Sequence, residues 1–87
     1  MQANLYKNLT VSALIVTGQG VLVGMYVNST TGGTIKFWDN TSAAGTVINE
    51  TITPAIGYHR LGFANFNTGL FATIGATLNV TLYYKQS

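Results

Sequence analysis

The chain has 87 residues, of which 7% are charged, with no Cys and a single His. These figures exclude a disulfide-stapled scaffold and a Cys- or His-rich metal site. A domain of this length buries only about 60% of its unfolded surface, so oligomerisation is the expected source of extra stability. The charge content agrees, because ordinary soluble domains carry about 25% charged residues and a dispersed monomer needs them on its surface. The four cations, Lys7, Lys36, Arg60 and Lys85, are scattered along the chain against Asp39 and Glu50. That spread argues against a nucleic-acid partner.

From the N-terminus, residues 1–8 (MQANLYKN) read as an arm or a short edge strand. The segment lacks the basic region and apolar run of a signal peptide, so synthesis and assembly in a cytoplasm are expected. The apolar stretch VSALIVTGQGVLVGMYV is broken at residues 17–20, short of the roughly 20 residues needed to cross a bilayer as a helix, and no membrane partner is expected.

Residues 9–87 read as one domain. Thr and Val favour strands, Gly and Asn favour turns, and no window has sustained helical spacing. Strands are expected at 9–16, 21–27 (after TGQG), 34–38 (after NSTTGG), 46–53 (after DNTSAAG), 58–61 (after PAIG), 70–74 (after NFNTG) and 76–84. The class is therefore all-β, an antiparallel β-sandwich or jelly roll of seven to eight strands.

Strand alternation predicts facing. Val21, Val23, Met25 and Val27 share one face, opposite Leu22, Gly24 and Tyr26. Leu78, Val80, Leu82 and Tyr84 oppose Asn79, Thr81 and Tyr83. Ile35 and Phe37 oppose Lys36 and Trp38, and the charge on Lys36 places Trp38 on the outer side.

Chemistry is sparse. Asp39 ends a strand and Glu50 sits within one, and no spacing joins them as a carboxylate pair. No nucleophile elbow surrounds Ser12, Ser29 or Ser42 to make a triad with His59. The GQG and TGGT segments are Gly turns between strands, without the helix and Lys of a phosphate cradle. Asp39-Asn40-Thr41 is oxygen-rich, yet calcium sites gather several carboxylates, so a turn is the preferred reading. No catalyst, metal or cofactor is expected.

Trp38, with Tyr26, Tyr58 and Tyr83, could stack on a sugar, but outward aromatics are also enriched at protein interfaces, and the low charge favours the interface. Glu50 shares its predicted face with Ile48 and Ile52. It is either paired with Arg60 or Lys36, or solvated on an edge strand. Five Asn-X-Ser/Thr triplets, at Asn8, Asn28, Asn40, Asn49 and Asn79, follow from an Asn- and Thr-rich composition.

The runs GVLVGMYVNSTTGGTIKFWDNTSAAGTVINETITP and GYHRLGFANFNTGLFATIGATLNVTLYY resemble small virion proteins of tailed bacteriophages. In these a Gly-Val-Leu strand leads to VNS, then GTIK-x-WD, AAGTVI and F-x-TGL-x-x-TIG before an aromatic ending. The likeness runs from about Leu9 to Tyr84. It implies a head decoration, cement or head-fibre protein, present in many copies on the outer surface of a capsid. It further implies a homotrimer, the major capsid protein as partner, and no catalytic residues. On that basis Tyr26, Trp38, Glu50, His59, Arg60 and Tyr83 are the candidate subunit or capsid-interface residues, and Leu5, Tyr6 and Lys7 the candidate capsid-docking arm.

Overall fold

The computed structural model describes residues 4–86. Six antiparallel strands form one sheet: β1 (Leu5–Leu9), β2 (Ala13–Thr17), β3 (Gly20–Asp39), β4 (Thr46–Ile52), β5 (Gly57–Phe66) and β6 (Gly69–Gln86). The all-β class is as expected. The strand number is lower because two expected breaks do not occur. NSTTGG lies inside β3, and the 70–74 and 76–84 segments are both inside β6. The GQG segment does form a turn, between β2 and β3. The expected 9–16 strand is instead divided, with Leu9 closing β1 and Ala13 opening β2.

The two long strands pair with each other from Gly20↔Gln86 to Trp38↔Phe71. Their outer edges are shared among the short strands. β5 pairs with β3 at residues 20–27 and β1 with β6 at residues 80–84, which makes a four-stranded tyrosine half. β4 pairs with β3 at residues 35–39 and β2 with β6 at residues 69–72, which makes a four-stranded tryptophan half.

Such a sheet cannot lie flat. Twenty residues at roughly 3.3 Å each would reach about 66 Å. The longest dimension of the molecule is 33 Å. The ribbon bends between the halves, where Thr31 and Gly32 both face Thr77. Gly32 and Ala76 take left-handed backbone here, at φ 62° and 56°. Gly33 must lack a side chain, because a Cβ there would lie 2.5 Å from the Thr77 carbonyl oxygen and 2.7 Å from the Leu78 Cβ. Thr30 braces the bend, its Oγ1 accepting from the Gly33 N–H at 2.9 Å.

Both halves feed one apolar core. Leu9, Leu22, Met25, Val27, Leu78, Val80 and Leu82 come from the tyrosine half, and Ile15, Ile35, Phe37, Leu70 and Ala72 from the other. The expected facing of Leu78, Val80, Leu82, Ile35 and Phe37 holds. On β3 it fails at residues 21–23. The register shifts between Leu22 and Gly24, leaving Val23 as a bulge. A bulge reverses the alternation. Leu22 therefore joins Met25 and Val27 in the core, while Val23 is buried outside that cluster.

β1 pairs with β6 at one edge of the sheet, with Leu5 opposite Tyr84, Tyr6 opposite Tyr83 and Lys7 opposite Leu82. It runs on to Leu9, so the expected boundary at residue 8/9 falls inside a strand. Residues 1–3 of the expected arm lie outside the described residues.

Phe37 is fully buried in this core. Phe37→Ala is expected to cost about 3–5 kcal/mol, measured as a lowered urea midpoint.

Candidate functional site

Two outward faces hold the candidate residues. On the tyrosine half, register sets two rows of neighbours. Tyr6, Tyr83, Gly24 and Arg60 make one; Asn8, Thr81, Tyr26 and Tyr58 make the other. Gly24 leaves a gap that Tyr58 fills: a Cβ on Gly24 would lie 2.3 Å from the Tyr58 hydroxyl. Tyr58 thereby reaches Tyr83, with ring centres 6.3 Å apart and planes tilted by 46°. Tilted pairs at this separation match the quadrupole preference of aromatic rings.

Beside the tyrosines runs a polar row. The Asn8 amide donates to Asn79 Oδ1 at 2.8 Å and to the Val80 carbonyl at 3.1 Å. The Asn28 amide donates to Asn79 Oδ1 at 3.2 Å and to Thr81 Oγ1 at 3.1 Å. Three of the five Asn-X-Ser/Thr asparagines are thus joined across β1, β6 and β3.

The tryptophan half presents a different row: Leu14, Phe71, Trp38 and Val47, one from each strand and all half-buried. Trp38 is on the outer side as expected. Its indole Nε1–H donates to Thr73 Oγ1 at 2.9 Å, and Lys36 Nζ sits 4.3 Å from the ring centre. Lys36 also pairs with Glu50 at 3.5 Å. Of the two readings of Glu50, each is half right: it has a partner, yet its side chain is 81% exposed. Two register shifts in β4 separate it from Ile48 and Ile52, which pack on the core. The alternation that put all three on one face does not survive those shifts.

Asp39 is an anchor for the β5–β6 turn. Its carboxylate accepts from the N–H groups of Asn67 at 2.9 and 3.0 Å, Thr68 at 2.9 Å and Gly69 at 3.4 Å. Desolvation pushes its pKa up, but the bonds from Thr68, Asn67 and Gly69 outweigh this and hold it below the ordinary carboxylate value. Asn40 shapes the following loop, its amide donating to the Ala44 carbonyl at 2.7 Å. His59 lies opposite Met25, and its Nε2 is 2.7 Å from the Ala55 carbonyl oxygen. A carbonyl only accepts, so Nε2 carries the proton. Ser12 Oγ is bonded to the Ile74 backbone, accepting at 2.8 Å and donating at 3.3 Å. Among the described residues, no hydrogen bond joins His59, Asp39, Glu50 or Ser12 to one another.

The structure thus divides the six candidate interface residues. Tyr26, Arg60 and Tyr83 share the tyrosine face; Trp38 and Glu50 share the other; His59 is turned to the opposite side of its strand. A shallow depression of about 230 Å³ lies at Gln19, Gly20, Asn65, Phe66 and Asn67, with no ionisable side chain in its lining.

Sequence reasoning missed Phe63. It is 57% exposed and has left-handed backbone at φ 54°, following Gly62 at φ 73°. Between the pairs Leu22↔Ala64 and Gly24↔Arg60, three β5 residues oppose Val23 alone. A Gly within a strand often marks such a bulge, and LGFAN carried that signal.

No protein-family model, curated protein or solved structure matches this chain.

Two outcomes follow. Asp39→Asn is expected to be less stable than wild type near neutral pH. Because the folded pKa of Asp39 is depressed, its contribution is complete above the unfolded value near 3.9 and is lost as pH falls through the folded one. Unfolding curves of the two proteins should therefore converge in acid. Lys36→Met should cost about 1 kcal/mol, since the Glu50 end of the ion pair is solvated and a half-buried cation–π contact is modest, while altering the emission of Trp38, the sole indole.

Proposed function

We propose that this chain is a structural virion protein that binds the outer surface of a tailed-phage capsid as a homotrimer and stabilises it by bridging major capsid subunits. The observation that carries this reading is the outward surface. Among the described residues, seven large apolar or aromatic side chains are exposed, on a chain with only 7% charged residues. Five of them, Leu5, Tyr6, Tyr26, Tyr58 and Phe63, sit on the strands of the tyrosine half. Exposed aromatics gathered on one face are characteristic of interaction surfaces. Many copies, each making modest contacts, would brace a shell through multivalency.

We read the folded-over sheet as a two-layer β-sandwich, each long strand supplying one arm to both layers. A non-enzymatic, cofactor-free role is supported by the separate structural partners of Asp39, Glu50, His59 and Ser12. Neither a nucleic acid nor a membrane enters this reading.

A carbohydrate-binding or adhesion role is the second reading. Its support has moved away from Trp38, whose N–H and one ring face are engaged by Thr73 and Lys36. It now rests on Tyr58 and Tyr83 beside the asparagine row.

Light scattering is expected to give three chains per particle, and the protein should co-sediment with expanded capsids from the genome that encodes it. A stable monomer that leaves such capsids bare would overturn the decoration reading. Retention on neutral oligosaccharides, lost in Tyr83→Ser, would favour the second.

A further inference from the structure

The two halves differ in charge. Lys7, Arg60 and Lys85 all belong to strands of the tyrosine half, which holds no acid. Both acids, Asp39 and Glu50, belong to the other half, with Lys36. Arg60 and Lys85 share the outward side with the tyrosines, and Lys7 lies on edge strand β1. Lys7, opposite core-facing Leu82, lies on the other side of the sheet, so the fold gathers Arg60 and Lys85, far apart in the chain, on the tyrosine face.

Resting on the capsid-binding reading, we propose that the tyrosine face, with Phe63 at its margin, is the surface that docks on the shell, and that it meets a carboxylate-rich protein surface there. Charge complementarity selects that partner. A second copy of this chain cannot supply it. Asp39 is engaged by three backbone N–H groups, which leaves Glu50 as the one other acid in the chain.

Phe63 is a second, independent observation. Left-handed backbone is strained for a non-glycine residue, and the exposed Phe63 ring recovers little of that strain by burial within the chain. Strain held at an exposed aromatic is rational where the ring is buried in a partner. Tyr and Arg are also the residue types that dominate binding hot spots. Single-stranded nucleic acid fits less well, because the asparagine amides donate to one another's row instead of standing free to read bases.

The test measures binding to capsids from the encoding genome at rising salt, for wild type, Arg60→Glu, Phe63→Asn and the exposed β4 variant Thr51→Ala. Wild type and Thr51→Ala should bind alike, and binding should weaken as salt rises. Arg60→Glu and Phe63→Asn should each weaken binding by about tenfold or more. Asn tolerates left-handed backbone, so Phe63→Asn should keep or raise the thermal midpoint while losing binding, a combination that a merely structural role would not produce. Wild-type binding by both variants would overturn the proposal and leave the decoration reading standing. So would a fall in both midpoint and binding for Phe63→Asn. Capture of an oligothymidylate that Arg60→Glu abolishes would reassign the face to nucleic acid. If wild type binds no capsid at all, the decoration reading fails, and the docking face with it.

Discussion

The fold depends on a single long pairing, β3 against β6. Each of these strands is bonded along one edge to the other, and along its second edge to two short strands. Neither half of the sheet would have a centre without both. Because the ribbon is about twice as long as the molecule, it must bend, and the bend brings two apolar faces together. A chain of 87 residues has little interior to spare. Each of the two long strands supplies residues from both halves to the same core.

The outward faces follow from the same ribbon. Once Met25, Val27, Leu78, Val80 and Leu82 point inward, Tyr26, Asn79, Thr81 and Tyr83 must point outward. On the other arm, burial of Ile35 and Phe37 leaves Lys36 and Trp38 outside. Packing requirements therefore place the chemistry that a partner would meet. The two faces have separate characters, one tyrosine-rich and cationic, the other built on Trp38 with its own chain's Lys36 and Thr73.

Local alternation was readable wherever the ladder is regular. The β6 facing and the Ile35/Phe37 against Lys36/Trp38 division are visible in residue order alone. It failed at Val23 and in β4, where bulges insert one residue and reverse the phase; nothing in an apolar run such as GVLVG marks which residue bulges. The strand number failed for a related reason. Gly and Thr around residues 30–34 signal a turn, yet the cross-strand partner on β6 bends in step, and the ladder continues through. At the candidate sites, the outward placement of Trp38 was accessible, as was Lys36 as one of two possible partners for Glu50. The gathering of Arg60 and Lys85 was not, because it is produced by pairings between residues that are far apart in the chain.

The position of β6 in chain order has a bearing on biosynthesis. During translation, β3 emerges early and can pair only with β4 and then β5. The strands β1 and β2 wait without any partner, since both bond to β6 alone. The last 18-residue strand must leave the ribosome before either half acquires its second central strand. Closure of the core therefore waits for the synthesis of β6. Until then the apolar side of β3 stays open to solvent and to neighbouring chains, the kind of exposure that makes incomplete β structures prone to aggregate.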